Sequence, residues 1–152
     1  TCWLGALFDS EALGDNLGLE KGQAVRALIA WGRGHKVPGT KEKSGRRQPP
    51  EKLAVYAEDR DTRYPWRTVL EAVRWAPSAI NRQPWRLWFG ASAVHLFSRS
   101  GRLARSGIPI DMGIALCHFE LACEQLAIPG RIVHTEHPLP KGWEYWASYQ
   151  IE

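Results

Sequence analysis

The segment from Pro65 to Phe97 constrains the fold more than any other part of the chain, because it predicts a helix, a stop and a hairpin in succession. Apolar residues recur with helical spacing at Trp66, Val69, Leu70, Val73 and Ala76. Pro77 then ends the helix, since its ring clashes with the preceding turn and restricts the residue before it. Two apolar runs follow, separated by Gly90-Ala91-Ser92, and predict a β-hairpin: Trp85–Phe89 and Val94–Phe97.

The loop between this helix and the hairpin has the sequence APSAINRQP and covers residues 76–84. Ser78 and Asn81 offer short hydrogen-bonding side chains, and Ala79 leaves the backbone open to close approach. A surface that binds a flat ring with polar edges needs these properties. An ordinary turn that ends a helix explains the same residues, so both interpretations stay open at this point.

The rest of the chain predicts further elements of both kinds. Asp9 or Ser10 caps a helix that ends near Gly18. The remaining predictions are a buried strand at 24–31, a short helix at Pro49–Tyr56, a long and mostly apolar helix at Ile110–Leu126, and strands at Arg131–Thr135 and Tyr145–Ile151. The pattern is typical of an α+β domain.

Composition excludes several classes of protein. The chain has 152 residues, of which 44% are hydrophobic, so a packed core is expected. No apolar run approaches the roughly 18 residues that a membrane span needs, and no signal-peptide pattern opens the chain. Cys2, Cys117 and Cys123 are odd in number and lack CxxC spacing, which predicts neither a disulfide framework nor a zinc site and favours a reducing cytoplasm.

The net charge of +4 raises the question of nucleic-acid binding. Between Arg33 and Lys52 there are seven Lys or Arg residues against two Glu, in a stretch rich in Gly and Pro. No aromatic residue lies inside that run to stack on a base. The charge distribution therefore argues against nucleic-acid binding and indicates a basic linker at about 35–48.

Three other candidate sites have simpler explanations. His118 lies beside Cys117 and one turn before Cys123, but a hydrogen-bonded core histidine is favoured over a metal or redox role. The run at 134–137 contains two His and one Glu without helical spacing, and it predicts no metal site. Asp111 near the start of the long helix is explained by the helix dipole.

The beginning of the chain is unusual. It opens at Thr1 without methionine, and residues 2–5 are apolar where termini are ordinarily polar. The same kind of segment would follow a helix such as Ile110–Leu126 in an earlier copy, which predicts a piece of a longer protein with an internal repeat.

Several segments, in order, resemble the FMN-dependent nitroreductase superfamily. They are TCWLG at Thr1–Gly5, LEAVRWAPSAINRQPWRLW at Leu70–Trp88, IDMGIALCHFELA at Ile110–Ala122 and EYWASYQ at Glu144–Gln150. The chain resembles in particular the C-terminal part of a branch in which two nitroreductase-like halves are fused. The resemblance implies the end of a first half plus the basic linker at 1–48, and a second half at 49–152, with a mostly antiparallel central sheet flanked by helices.

The resemblance also implies a flavin site. The flavin or its ribityl chain would contact Pro77, Ser78, Ala79 and Asn81. The edge of the isoalloxazine ring would lie under Trp3, Leu4 and Gly5, whose backbone N–H groups point toward N5. The phosphate would be bound by Arg47. Arginine suits phosphate by its bidentate geometry. The chain departs from the family at Gly45, where a second basic residue is expected, and in the arginine-serine-arginine motif that would precede Thr1.

The implied activity is reduction of nitro, quinone or similar acceptors by NAD(P)H, in ping-pong hydride transfer through flavin N5. Because the cofactor carries this chemistry, no side chain is predicted to act as acid, base or nucleophile. The alternative is a non-catalytic flavin-binding or interaction module of the same fold. The expected partners are a small-molecule electron acceptor and either the missing half or a second copy of the chain.

Overall fold

The computed structural model describes residues 2–4, 8–32, 46–57, 64–99, 108–135 and 142–152. The chain divides into two compact units, Thr1–Lys43 and Ser44–Glu152, and each is described by itself.

In the first unit, residues 2–4 and 8–32 are described, and they form a short β-ribbon and one helix. Strand β1 (Cys2–Leu4) pairs antiparallel with β2 (Leu28–Ala30). Helix α1 (Ser10–Leu17) begins where the Asp9 carboxylate accepts the N–H groups of Glu11 and Ala12, as predicted, and it ends at Gly18 with φ of 64°.

The buried strand predicted at 24–31 is wrong in length and in burial. Of residues 24–31, only Leu28–Ala30 form a strand, paired with Cys2–Leu4. Ile29 is 69% exposed and Trp31 is 85% exposed, so this apolar run is not enclosed.

The second unit is built on a five-stranded sheet in the order β3-β4-β5-β7-β6. The strands are β3 (Ala54–Tyr56), β4 (Trp85–Phe89), β5 (Ala93–Ser98), β6 (Gly130–Val133) and β7 (Glu144–Ile151). Only the β3–β4 pairing is parallel. The predicted α+β class with a mostly antiparallel sheet is therefore confirmed.

The described residues of this unit include three α-helices: α2 (Pro50–Leu53), α3 (Trp66–Arg74) and α4 (Ile108–Gln125). The predicted helices at Pro65–Ala76 and Ile110–Leu126 are confirmed within two residues at each end. The helix predicted at Pro49–Tyr56 is wrong in its second half, because the chain turns into β3 after Leu53 and pairs with β4.

One face of the sheet carries the core. Alternate residues of the hairpin strands pack against the apolar faces of α3 and α4, and α4 is buried at Met112, Ala115 and Phe119. The inward residues of the sheet and of α3 are Trp85, Leu87, Phe89, Val94, Leu96, Tyr149, Val69, Leu70 and Val73. No helix in the described part of the chain is long and apolar enough to span a membrane.

The β4–β5 hairpin fixes the position of the loop that precedes it. Trp85 pairs with Ser98, and the ladder runs to Phe89 opposite Val94. Arg99 also donates its N–H to the carbonyl of Pro84 at 2.8 Å. The loop at 76–84 is therefore fixed at the open end of the hairpin, while α3 holds its other end.

Candidate functional site

The loop at 76–84 has an unusual backbone. Ala79–Asn81 form a single 3-10 turn, inside which Ile80 has φ of 47° and ψ of 30°. Asn81 and Gln83 also have positive φ, of 56° and 50°. Non-glycine residues rarely adopt this region, and each such residue costs roughly 1–3 kcal/mol. Ile80 is the least expected of the three, because it is β-branched, and its side chain is 84% exposed.

Arg47 reaches under this loop from the chain segment before α2. Its Nη1 donates to the carbonyl of Ala76 and to Oδ1 of Asn81, both at 2.9 Å. Its Nη2 donates to the carbonyl of Trp75 at 3.1 Å, and the guanidinium lies 5.5 Å from the centre of the Trp75 ring. The cation thus satisfies carbonyls at the C-terminal end of α3, where positive charge is favoured.

Three side-chain amides complete the support beneath the loop. Oε1 of the buried Gln83 accepts the N–H of Gln48 at 2.8 Å, and its Nε2 donates to the carbonyl and Oδ1 of Asn81 at 3.0 and 3.1 Å. Asn81 Nδ2 donates to the carbonyl of Arg46 at 2.9 Å. Gln48 Nε2 donates to the carbonyl of Arg82 at 3.1 Å. The strained turn is therefore fixed from below by a connected network.

Asp111 in the first turn of α4 holds the loop from another side. Its carboxylate is 2% exposed and accepts the N–H of Ala79 at 2.9 Å. Burial raises the pKa of this carboxyl, while the Ala79 hydrogen bond and the charge of Arg82 oppose the rise. Ser78 adds a further contact, because its Oγ accepts the N–H of Gln83 at 2.9 Å. Asp111 therefore has a second partner beyond the helix dipole.

The outer surface of the loop contrasts with its interior. Pro77, Ala79, Ile80 and Arg82 are exposed, whereas Gln83 is buried. The surface offers apolar side chains and one cation on a backbone that is held in place. Such a surface can receive a planar, apolar ring that carries negative charge elsewhere.

The predicted flavin residues fall into two groups. Pro77, Ser78, Ala79, Asn81 and Arg47 are brought together by the contacts above, all within the second unit. Trp3 and Leu4 lie on β1 of the first unit, where they pair with Ile29 and Leu28, and Gly5 lies outside the described residues. The placement of these three against a flavin stays a prediction.

The supporting amides Gln48 and Gln83 were not among the sequence candidates. Each glutamine precedes a proline, at 48–49 and 83–84, and this shared Gln-Pro pattern was the only sequence feature that could have linked the two residues. Asp111 was attributed to the dipole alone, because its contact with Ala79 spans 32 positions in sequence and leaves no local pattern.

The other sequence candidates form no site around the loop. His118 Nδ1 lies 3.2 Å from the carbonyl of Ala72, as expected for a hydrogen-bonded core histidine, and Cys123 is buried while Cys117 is exposed. Of the run at 134–137, residues 136 and 137 lie outside the described residues. Among the residues that the structure describes, no group of three His, Cys, Asp or Glu side chains is arranged to hold a metal ion.

A separate polar cluster lies on the sheet face away from the core. Ser148 is fully buried, and its Oγ lies 2.7 Å from both His95 Nδ1 and the Tyr145 hydroxyl. Thr135 Oγ1 is 3.2 Å from the same oxygen. These neighbours provide hydrogen bonds for the buried hydroxyl of Ser148, and because Ser148 is fully buried its Oγ is not accessible to a ligand.

A family model described as "Putative TM nitroreductase" matches residues 1–123, and the chain belongs to that family. The recognition of the superfamily from sequence is therefore confirmed. No curated protein matches the chain.

A solved structure supports the fold. The chain is similar to a putative nitroreductase (TM1586) from Thermotoga maritima MSB8, with a TM-score of 0.50 and 23% identity over 75% of this chain. The match covers 45% of that protein, so this chain spans less than half the length of the solved relative. The fusion of two halves in one chain stays a prediction.

Proposed function

We propose that the chain is an FMN-dependent oxidoreductase of nitroreductase type, which uses NAD(P)H to reduce nitro, quinone or similar small molecules. The single observation that carries the proposal is the loop at 76–84. Its backbone is strained at three positions and anchored from below, while its outer residues stay exposed. Strain of this kind persists where a binding surface must be preorganised. Membership of the nitroreductase family supplies the chemical class.

The residues of the loop fit FMN in their chemistry. The exposed side chains of Pro77, Ala79 and Ile80 suit the apolar face of a ring system. Arg46 and Arg82 are exposed next to them and suit a dianionic phosphate. As the resemblance implies, Trp3, Leu4 and Gly5 would supply backbone donors to the flavin ring.

When bound, FMN would supply hydride acceptance from NAD(P)H and hydride delivery to the acceptor. The chain's own residues would bind and orient the ring and would leave one face open to each substrate in turn. We therefore assign no side chain as general acid, base or nucleophile. We further propose that the chain works in a reducing cytoplasm and assembles with another nitroreductase-like half or with a second copy of itself.

The test is a blocking substitution at an exposed position of the loop. Ala79→Phe adds an aromatic ring where the alanine side chain meets solvent, so it should fold but obstruct the flavin. Ser92→Phe makes the same change in the turn at the far end of β4, about 16 Å along the strand. Each protein is titrated with FMN by visible absorbance and then assayed for NADH and NADPH oxidation with a nitroaromatic acceptor.

We expect the unchanged chain and Ser92→Phe to bind FMN and to turn over, and Ala79→Phe to lose at least about tenfold in affinity. An unchanged chain that binds no FMN would overturn the proposal for this chain. Binding without turnover would favour the non-catalytic flavin-binding module. Equal affinities in the two variants would remove the loop from the site.

A further inference from the structure

We infer that Arg47 is a positioning residue, which holds the loop at 76–84 in its binding conformation and does not contact the phosphate of a bound flavin. The inference rests on the proposed function, because the loop matters only where a flavin binds to it. It reassigns a residue that sequence resemblance places on the phosphate.

Three of the five N–H donors of Arg47 form hydrogen bonds with the loop and the end of α3. A guanidinium has five N–H groups, and phosphate recognition by arginine uses two of them along one edge. Both Nη1 hydrogens are used, on Ala76 and Asn81, and one Nη2 hydrogen is used on Trp75. The remaining edge runs through Nε, which is buried and has no partner in the described part of the chain. Two N–H groups therefore stay unused, Nε–H and one on Nη2, and they share one edge of the guanidinium. Because Nε is buried, that edge is closed to a phosphate.

The contacts of Arg47 explain how the loop keeps its shape. Oδ1 of Asn81 accepts from both Arg47 Nη1 and Gln83 Nε2, and Asn81 Nδ2 donates to a carbonyl. The Asn81 amide is therefore fixed in one orientation. Asparagine tolerates positive φ, but the neighbouring Ile80 does not, and the fixed Asn81 side chain holds the turn that contains both.

Arg47 also joins the two ends of the loop. It contacts the carbonyls of Trp75 and Ala76, where α3 ends, and the side chain of Asn81 five residues later. The ring of Trp75 covers the guanidinium at 5.5 Å. Removing the side chain would take a donor from the carbonyls of Trp75 and Ala76 and would leave Asn81 Oδ1 with Gln83 Nε2 as its remaining donor.

Two flavins separate the two roles of Arg47. FMN carries the phosphate and riboflavin does not, and both carry the ring and the ribityl chain. If Arg47 only positions the loop, Arg47→Ala weakens FMN and riboflavin by the same factor, at least about tenfold. A phosphate contact would instead weaken FMN by about 10- to 100-fold and leave riboflavin unchanged.

Arg47→Lys provides a second variant should the alanine variant fold poorly, because it keeps the charge but cannot form the three-bond fork. Arg131→Ala is the matched control: its side chain is 74% exposed, and its ion-pair contact with Glu152 is long, at 4.0 Å. The control should leave both affinities unchanged.

Hydrogen exchange tests the inference without any flavin. The amides of Asn81 and Arg82 donate to the carbonyls of Ser78 and Ala79 at 3.0 and 3.1 Å. We expect both amides to exchange at least about tenfold faster in Arg47→Ala, with amides of the β4–β5 ladder unchanged. If the unchanged chain binds neither flavin, the proposed function fails, and the exchange rates still decide whether Arg47 holds the loop in shape.

The inference is supported by equal weakening of both flavins together with faster exchange in the loop. Selective loss of FMN would overturn it, and so would unchanged affinity for both flavins. Unchanged exchange at Asn81 and Arg82 would overturn it as well, whatever the affinities.

Discussion

Replacing Gln83 by leucine probes the network that supports the loop. The side chain of Gln83 is 1% exposed, so it exchanges no hydrogen bonds with bulk water. Leucine has a similar volume and keeps the space filled, while it removes one acceptor and two donors. The substitution therefore isolates the hydrogen bonds from packing.

The expected loss of stability follows from the contacts. The N–H of Gln48 loses its acceptor at 2.8 Å, and an unsatisfied group of this kind costs about 1–3 kcal/mol. The carbonyl and Oδ1 of Asn81 each lose a donor, but Oδ1 keeps Arg47. This second effect adds about 0.5–1.5 kcal/mol. We expect Gln83→Leu to lower the free energy of unfolding by about 2–4 kcal/mol in total.

Urea unfolding followed by tryptophan fluorescence measures this difference. Gln150→Leu is the control, because the Gln150 side chain makes one exposed hydrogen bond, to the carbonyl of Ser92 at 3.0 Å. The control should lose less than about 0.5 kcal/mol. If Gln83→Leu were no more destabilising than Gln150→Leu, the network would not stabilise the loop and the reasoning would be refuted.

Two further predictions concern titratable groups. Burial raises the pKa of the Cys123 thiol to about 12, so this thiol is not reactive at pH 8. In a Cys2→Ser variant, a thiol reagent at pH 8 should therefore modify only Cys117 of the native chain. Modification of two thiols would contradict this prediction. Burial also raises the pKa of Asp111, so the native state loses stability as pH rises from about 4 through that raised pKa. Asp111→Asn keeps an acceptor for the N–H of Ala79 but has no carboxyl to ionise, so it does not lose stability in this way. Its free energy of unfolding, measured by urea titration, should therefore rise relative to that of the unchanged chain as pH increases over that window. A difference in unfolding free energy that stays constant with pH would contradict the raised pKa of Asp111.

Long periodic segments made most of the fold predictable. Helices α3 and α4 and the β4–β5 hairpin carry apolar patterns of nine residues or more, and their bounds agree with the sequence prediction within about two residues. Strand β3 was missed because it has three residues and its parallel partner lies more than 30 positions away. A short strand with a remote partner has no periodic pattern of its own.

The sequence predicted the loop at 76–84 but not the shape of its backbone, and its contact with a flavin stays a prediction. The sequence APSAINRQP indicated a loop that could approach a ring, and the match to the family model confirms membership of the nitroreductase family. Nothing in the sequence indicated positive φ at Ile80, since β-branched residues avoid that region. The role of Gln83 could not be predicted from sequence either, because its side chain bonds to backbone groups of Gln48 and Asn81, which every residue type carries.

The central claim is that the outer surface of the loop at 76–84 contacts a flavin. Backbone amide chemical shifts of the isotopically labelled chain, recorded while FMN is added, test it most directly. The account predicts that the largest shifts occur at Ser78, Ala79 and Ile80, while amides of β6, at the far side of the sheet, stay in place. Saturation with FMN that leaves the loop amides unmoved, or that moves only residues elsewhere, would contradict it.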